Sequence, residues 1–214
     1  MLLIKVFFLK KIIFSLFFIL TFSTVSNAQI KDYFKEARTK GSESAPVQII
    51  EYMDYQCPSC AKGAKYLEKI FEDYPNLVRL EMRFFPLNGR KHSLISAHYA
   101  QCAARQGKFW DFHHSLVDKQ KQWSHLVDAR YFFDIIAKEL KVNNSDFDQC
   151  LEDKMIYDFL LDMKLKGKIK EVKSTPTYFI NGKMIVGYKK LIEELNEFIP
   201  ESEISETKQL EPEK

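Results

Sequence analysis

The chain runs to 214 residues, with 46% apolar side chains and a formal charge of +3 at pH 7. Lys5, Lys10 and Lys11 at the N-terminus equal that whole excess, so the remainder is close to neutral. Neither nucleic acid nor an acidic substrate is therefore expected as a partner.

Behind those lysines, Ile12 to Phe22 (IIFSLFFILTF) is apolar throughout, and Ser26-Asn27-Ala28 sets small residues before Gln29. Basic, apolar and small-residue regions in that order predict a secretory signal over 1–28, the apolar run being short for a membrane span. An uncleaved N-terminal anchor is the alternative. Export places the four cysteines of the chain in a compartment where thiols are not held reduced. After a lead-in over 29–45, Val47 to Met53 (VQIIEYM) predicts a buried strand, broken by one carboxylate, Glu51.

Cys57-Pro58-Ser59-Cys60 follows at once and opens a helical pattern. Cys60, Ala64, Leu67 and Phe71 form an inward stripe, while Lys62, Lys65, Glu68 and Lys69 face elsewhere. Pro58 suits the first turn, where its missing N–H costs nothing. Leu77 to Leu87 then predicts a second strand closed by Pro86. Helices are expected over Ser93–Arg105, Lys108–Lys119, Asp128–Val142 and Lys154–Lys170. The third of these is expected to turn Tyr131, Phe132, Ile135, Ile136 and Leu140 inward, and Ser145 to Asp148 resembles a capped helix start. Thr177 to Ile180 and Met184 to Val186 flank Asn181-Gly182, a strong hairpin signal. Lys189 to Ile199 predicts a last helix, and the acidic tail over 200–214 (ending ESEISETKQLEPEK) is expected to be disordered. The whole is an α/β domain over 46–199, with a helical block of about 90–170 inserted between strands.

Residues three apart at a helix start lie roughly 5 Å apart at Cα, within disulfide range. Unpaired N–H groups and the helix dipole stabilise a thiolate at Cys57, and in such motifs a thiol pKa falls to about 3.5–7.5. Cys60 faces inward and is expected to resolve the mixed disulfide or leave the substrate pair to close. A structural zinc site is not expected, because Cys102 and Cys150 stand alone and no HExxH or second CxxC occurs. The histidines His92, His98, His113, His114 and His125 form no ligand motif either, and adjacent His113 and His114 must point to different helix faces.

APVQIIEYMDYQCPSC, RFFPL, CAARQGKFWDFH and STPTYFINGK together resemble the DsbA-like group of thioredoxin-fold proteins, over Ala45 to Ile199. The resemblance implies a thioredoxin fold with an inserted helical domain. It also implies disulfide donation to folding exported proteins with cysteine thiols, followed by reoxidation by a membrane quinone-linked, DsbB-like partner. Cys57 and Cys60 then match the catalytic, redox-active pair, with Pro58 and Ser59 tuning it. Thr175-Pro176 matches a cis-proline loop that binds substrate by main-chain pairing. Glu51 falls where relatives carry a buried acid that relays protons, against the alternative of a strand-end carboxylate reaching solvent. Cys102 and Cys150 match a structural disulfide that some relatives have, or are two separate buried thiols. No cofactor or metal is required, and a periplasmic monomer is expected. A reductase or isomerase is the catalytic alternative, and a chaperone-like binding module the non-catalytic one. Ser59 stands where strongly oxidising members often carry histidine, so it supplies no positive charge beside the thiolate.

Overall fold

The computed structural model describes residues 33–199. The expected signal over 1–28 and the tail over 200–214 lie outside them. Five strands form a mixed sheet: β1 (Thr39–Lys40), β2 (Val47–Met53), β3 (Val78–Phe84), β4 (Thr177–Ile180) and β5 (Lys183–Val186). Their order across the sheet is β1-β3-β2-β4-β5. β2 and β3 run parallel, while β1 against β3, β4 against β2 and β5 against β4 are antiparallel.

The parallel pair needs a crossover, supplied by α1 (Pro58–Asp73). α1 packs with α8 (Tyr188–Asn196) on one face of the sheet. Val47, Ile49, Leu67, Ile70, Val78, Leu80, Tyr178 and Leu191 form the core there. Strand alternation sends side chains two apart to one face, so Glu51 follows Val47 and Ile49 toward α1. On the other face Tyr52, Phe85 and Val172 make a smaller cluster. Asn181 (φ 47°) and Gly182 (φ 88°) turn the β4–β5 hairpin, the left-handed pair that a two-residue hairpin favours.

Between β3 and β4 lies the helical block: α2 (Ser93–Ala104), α3 (Phe109–Asp118), α4 (Gln120–Trp123), α5 (Arg130–Glu139), α6 (Asn144–Glu152) and α7 (Lys154–Ile169). α2 runs through its centre, with Ala97, Ala100, Ala103 and Ala104 all buried. Small side chains let its neighbours come close on every side. Tyr99 stacks with Phe133 at 5.3 Å and Phe147 at 5.7 Å, and its hydroxyl donates to Asp134 at 2.8 Å. A disulfide joins Cys102 of α2 to Cys150 of α6 across 48 positions. α7 returns to the sheet, where a Cβ at Gly167 would stand 2.7 Å from Phe85 and 2.9 Å from Tyr52. Arg38 is buried nearby and donates to the Met82 carbonyl at 2.6 Å. Burial lowers its pKa to about 10.

Three local expectations need correction. α5 buries Phe133, Ile136 and Ala137, leaving Tyr131 (77%) and Ile135 (39%) exposed. The i, i+3, i+4 set that faces α2 is thus rotated from the one expected, because packing against the fixed Tyr99 and Trp123 rings selects Phe133. α6 starts earlier than the Ser145 signal, since Asn143 caps it by accepting from the Asp146 N–H at 3.1 Å. β3 stops at Phe84, where the Phe85 N–H turns to the Met53 carbonyl. Among the described residues, no helix is long and apolar enough to cross a membrane.

Candidate active site

The register carries β2, β3 and β4 to a common end: Met53 faces Phe84, and Tyr52 faces Thr177. Three chain segments therefore meet there, 54–57, 85–90 and 172–176. Cys57 is the N-cap of α1 in extended conformation, with Pro58 following in the first turn. Its sulfur lies 3.4 Å from the Thr175 carbonyl oxygen and donates to it. The Thr175–Pro176 peptide is cis. Cys57 is 4% exposed and Cys60 fully buried, and both are free thiols.

The two thiols titrate in opposite directions. Cys57 is lowered to about 5, chiefly because the Cys60 thiol donates to its thiolate. Backbone N–H groups of Cys60 and Ser59 add to this against the cost of burial. Cys60 is pushed well above the usual thiol range by burial, and then by donating to Cys57. The Asp54 N–H points at its sulfur from 3.5 Å.

Beneath the pair, Glu51 is 0% exposed, and neither carboxylate oxygen has a hydrogen-bond partner among the described residues. Burial pushes it up to about 8; the nearby Tyr178 hydroxyl works against that shift, although no bond of normal geometry joins the two. Tyr178 is Glu51's cross-strand partner, so strand alternation puts both under α1. The Tyr178 hydroxyl presses so close to α1 that a Cβ at Gly63 would sit 2.1 Å from it. Glu51 raises the pKa of Cys60 by its charge, which ties the acid to the inner thiol.

Several side chains that the spacing did not single out hold the Cys57 loop. Gln120 of α4 is buried and donates to the Tyr55 carbonyl at 2.7 Å and the Cys57 carbonyl at 2.9 Å. Asp54 accepts from the Gln56 N–H, the Leu87 N–H and the Ser93 hydroxyl at 2.7–2.9 Å. Arg90 donates to the Gln56 carbonyl, and the Gln56 amide donates to the Ser124 carbonyl at 2.7 Å. Tyr55 meets His113 Nδ1 at 3.1 Å, and burial lowers His113 to about 3. His113 is thus a neutral core partner, while His114 lies half-exposed against Glu68 at 3.0 Å. Only a carboxylate so near a CxxC and a Gln opening a short helix could have hinted at Asp54 and Gln120. Ser59 is partly exposed beside Cys57. Cys102 and Cys150 sit apart from this site, within the helical block. Among the described residues no three His, Cys, Asp or Glu side chains converge as metal ligands would.

Residues 34–201 match the Thioredoxin family. The Na(+)/H(+) antiporter NhaA 3 of Salinispora tropica is 29% identical over 67% of this chain and 21% of the antiporter. The chain therefore spans about a fifth of the length of the curated relatives it matches first. The probable disulfide bond formation protein D of Bacillus cereus is 23% identical, over 81% of this chain and 87% of that protein. The crystal structure of Wolbachia pipientis alpha-DsbA1 agrees with a TM-score of 0.64 at 26% identity, covering 74% of this chain and 87% of that one. The family match over most of its length, together with the likeness to alpha-DsbA1, means that the chain belongs to the thioredoxin family as a DsbA-like member.

Proposed function

We propose that this protein is an exported thiol–disulfide oxidoreductase that donates a Cys57–Cys60 disulfide to folding exported proteins. The observation that carries this reading is the split between the two thiols, one held as thiolate at the helix mouth and the other sealed and neutral. In the oxidised enzyme a substrate thiolate attacks Cys57 Sγ. The Cys57–Cys60 bond breaks, its electron pair passes to Cys60, and Cys60 takes up a proton. A second substrate thiolate then attacks the substrate sulfur of the mixed disulfide and expels Cys57 as thiolate. The substrate loses two electrons and the enzyme gains them. A thiolate of low pKa leaves readily, which favours this direction.

Glu51 is the proton carrier in this scheme, since an acid shifted to about 8 holds its proton at neutral pH beside Cys60. The Thr175 main chain, whose carbonyl lies next to Cys57 Sγ, pairs with substrate main chain. A membrane quinone-linked partner takes the two electrons away. Residues 1–28 direct export to the periplasm, so mature protein begins at Gln29, which N-terminal sequencing checks.

The decisive measurement is the equilibrium of the pair with glutathione, alongside Cys57 alkylation as a function of pH. Alkylation should reach half its plateau near pH 5, and the potential should lie well above that of thioredoxin. A potential near −270 mV, about that of thioredoxin, would overturn donation in favour of reduction. Transfer activity surviving in Cys57→Ala would favour a binding module instead.

A further inference from the structure

Beside the Cys57 loop opens a cavity of about 700 Å³ that the exchange chemistry leaves unused. Phe85, Leu87 and Val172 give it an apolar floor. Arg90, Lys164, Lys168 and Lys173 stand around it; Glu171 lines it as well, and Asp54 faces Arg90 from 4.0 Å. Lys164 donates to neutral Asn88 at 2.8 Å, and Lys168 and Lys173 are exposed, with no ion pair among the described residues. The chain's near-neutral average thus conceals a local excess of positive charge.

Position makes this cavity relevant to the thiols. Arg90 grips the carbonyl of Gln56, the residue before Cys57. Lys173 stands two residues before Thr175, whose carbonyl meets the Cys57 sulfur. A polypeptide that presents a cysteine to Cys57 thus has this wall as a neighbour on the Arg90 and Lys173 side. Its charges are long, mobile and solvated, so what they add to encounter and to affinity is lost as salt screens them.

We infer that the cavity selects substrate segments bearing carboxylates next to the reacting cysteine, with an apolar side chain on the Phe85–Leu87–Val172 floor. This rests on the oxidoreductase reading for its consequence, although binding itself does not require the redox step. Opposite charge lining a cleft raises encounter rates by tenfold or more at low salt and loses that gain when screened.

The test uses twin dithiol peptides, one with Asp and Glu flanking its cysteines and one with Lys and Arg, and serine-for-cysteine versions for binding alone. Wild-type protein should oxidise the acidic twin about tenfold faster in kcat/KM, and bind its serine version correspondingly tighter, with both gaps closing near 0.5 M salt. Lys168→Glu/Lys173→Glu should abolish or invert the ratio between twins, while Lys190→Glu, a matched change on α8, should keep it. Taking the ratio within each protein removes any general loss of activity. Equal binding of the serine twins by wild type, or an unchanged ratio in Lys168→Glu/Lys173→Glu, would overturn the inference. Preferential binding of the acidic twin without oxidation of either dithiol would keep the carboxylate-selecting site and sink the oxidoreductase reading instead.

Discussion

Glu51 occupies a position that few carboxylates tolerate: fully buried, with both oxygens unpartnered among the described residues. An ionised carboxylate there lacks what normally offsets its burial, so the folded protein holds the proton until about pH 8 while the unfolded chain releases it near 4.5. A raised acid pKa means that the folded state binds more protons. The associated stability is full below about pH 4.5 and is lost as pH rises toward 8. Glu51→Gln keeps the shape and cannot ionise. In the reduced protein it should match wild type near pH 4.5 and exceed it by on the order of 3–5 kcal/mol at pH 8, read from urea midpoints at the two pH values. The Cys57 thiolate has the opposite dependence, gaining stability between about pH 5 and 9, but it is common to both proteins and cancels to first order. A difference that stays constant with pH would show that Glu51 does not hold its proton in the fold. The position of Glu51 was legible from strand alternation and its distance from Cys57. Its lack of partners was not, because that depends on Tyr178, which is brought alongside only by strand pairing.

At the scale of elements, α1 and the sheet are fitted at Gly63. A glycine inside a helix normally costs about 1 kcal/mol relative to alanine, so Gly63→Ala would ordinarily stabilise. Here the added methyl would meet the buried Tyr178 hydroxyl at 2.1 Å, and overpacking of this kind costs roughly 1–3 kcal/mol. Removing the hydroxyl should reverse the sign. In a Tyr178→Phe background the nearest remaining ring atom is 3.4 Å away, so Gly63→Ala should become neutral or stabilising in a denaturant double-mutant cycle. Independent costs in the two backgrounds would refute the contact. Elements whose signals are local were legible: Pro58 opening α1, Asn181-Gly182 turning the hairpin, and the Cys60–Phe71 stripe. The face of α5 and the start of α6 were not. Tyr131, Phe132 and Ile135 are as apolar as Phe133 and Ile136, and only the placement of α2 decides between them. Gln120 escaped for the same reason, since its two acceptors lie more than sixty residues upstream.

For the whole molecule, the Cys102–Cys150 bridge closes a 48-residue loop within the helical block. Closing a loop of that length stabilises by about 4 kcal/mol in the chain-entropy model. Cys102→Ala/Cys150→Ala should therefore lower Tm by roughly 10 °C, measured by calorimetry. The midpoint of Cys57 alkylation should stay near pH 5, because the hydrogen bonds of Cys57 to Thr175 and Gln120 lie outside both bridged helices. A fall of only about 2 °C would mean that the unbridged loop is already compact when unfolded.

The interruption of the sheet by that block has a consequence for biogenesis. β2 and α1 emerge from the ribosome long before β4, so the nascent chain carries Cys57 and Cys60 with neither Thr175 nor Tyr178 beside them. Until the last hairpin docks, the thiols are an unguarded pair facing Cys102 and Cys150 in the same chain, and four cysteines allow three pairings. High sequence separation slows the closing step. The maturing chain is thus itself a disulfide-pairing problem, and joining Cys102 to Cys150 leaves Cys57 and Cys60 to each other.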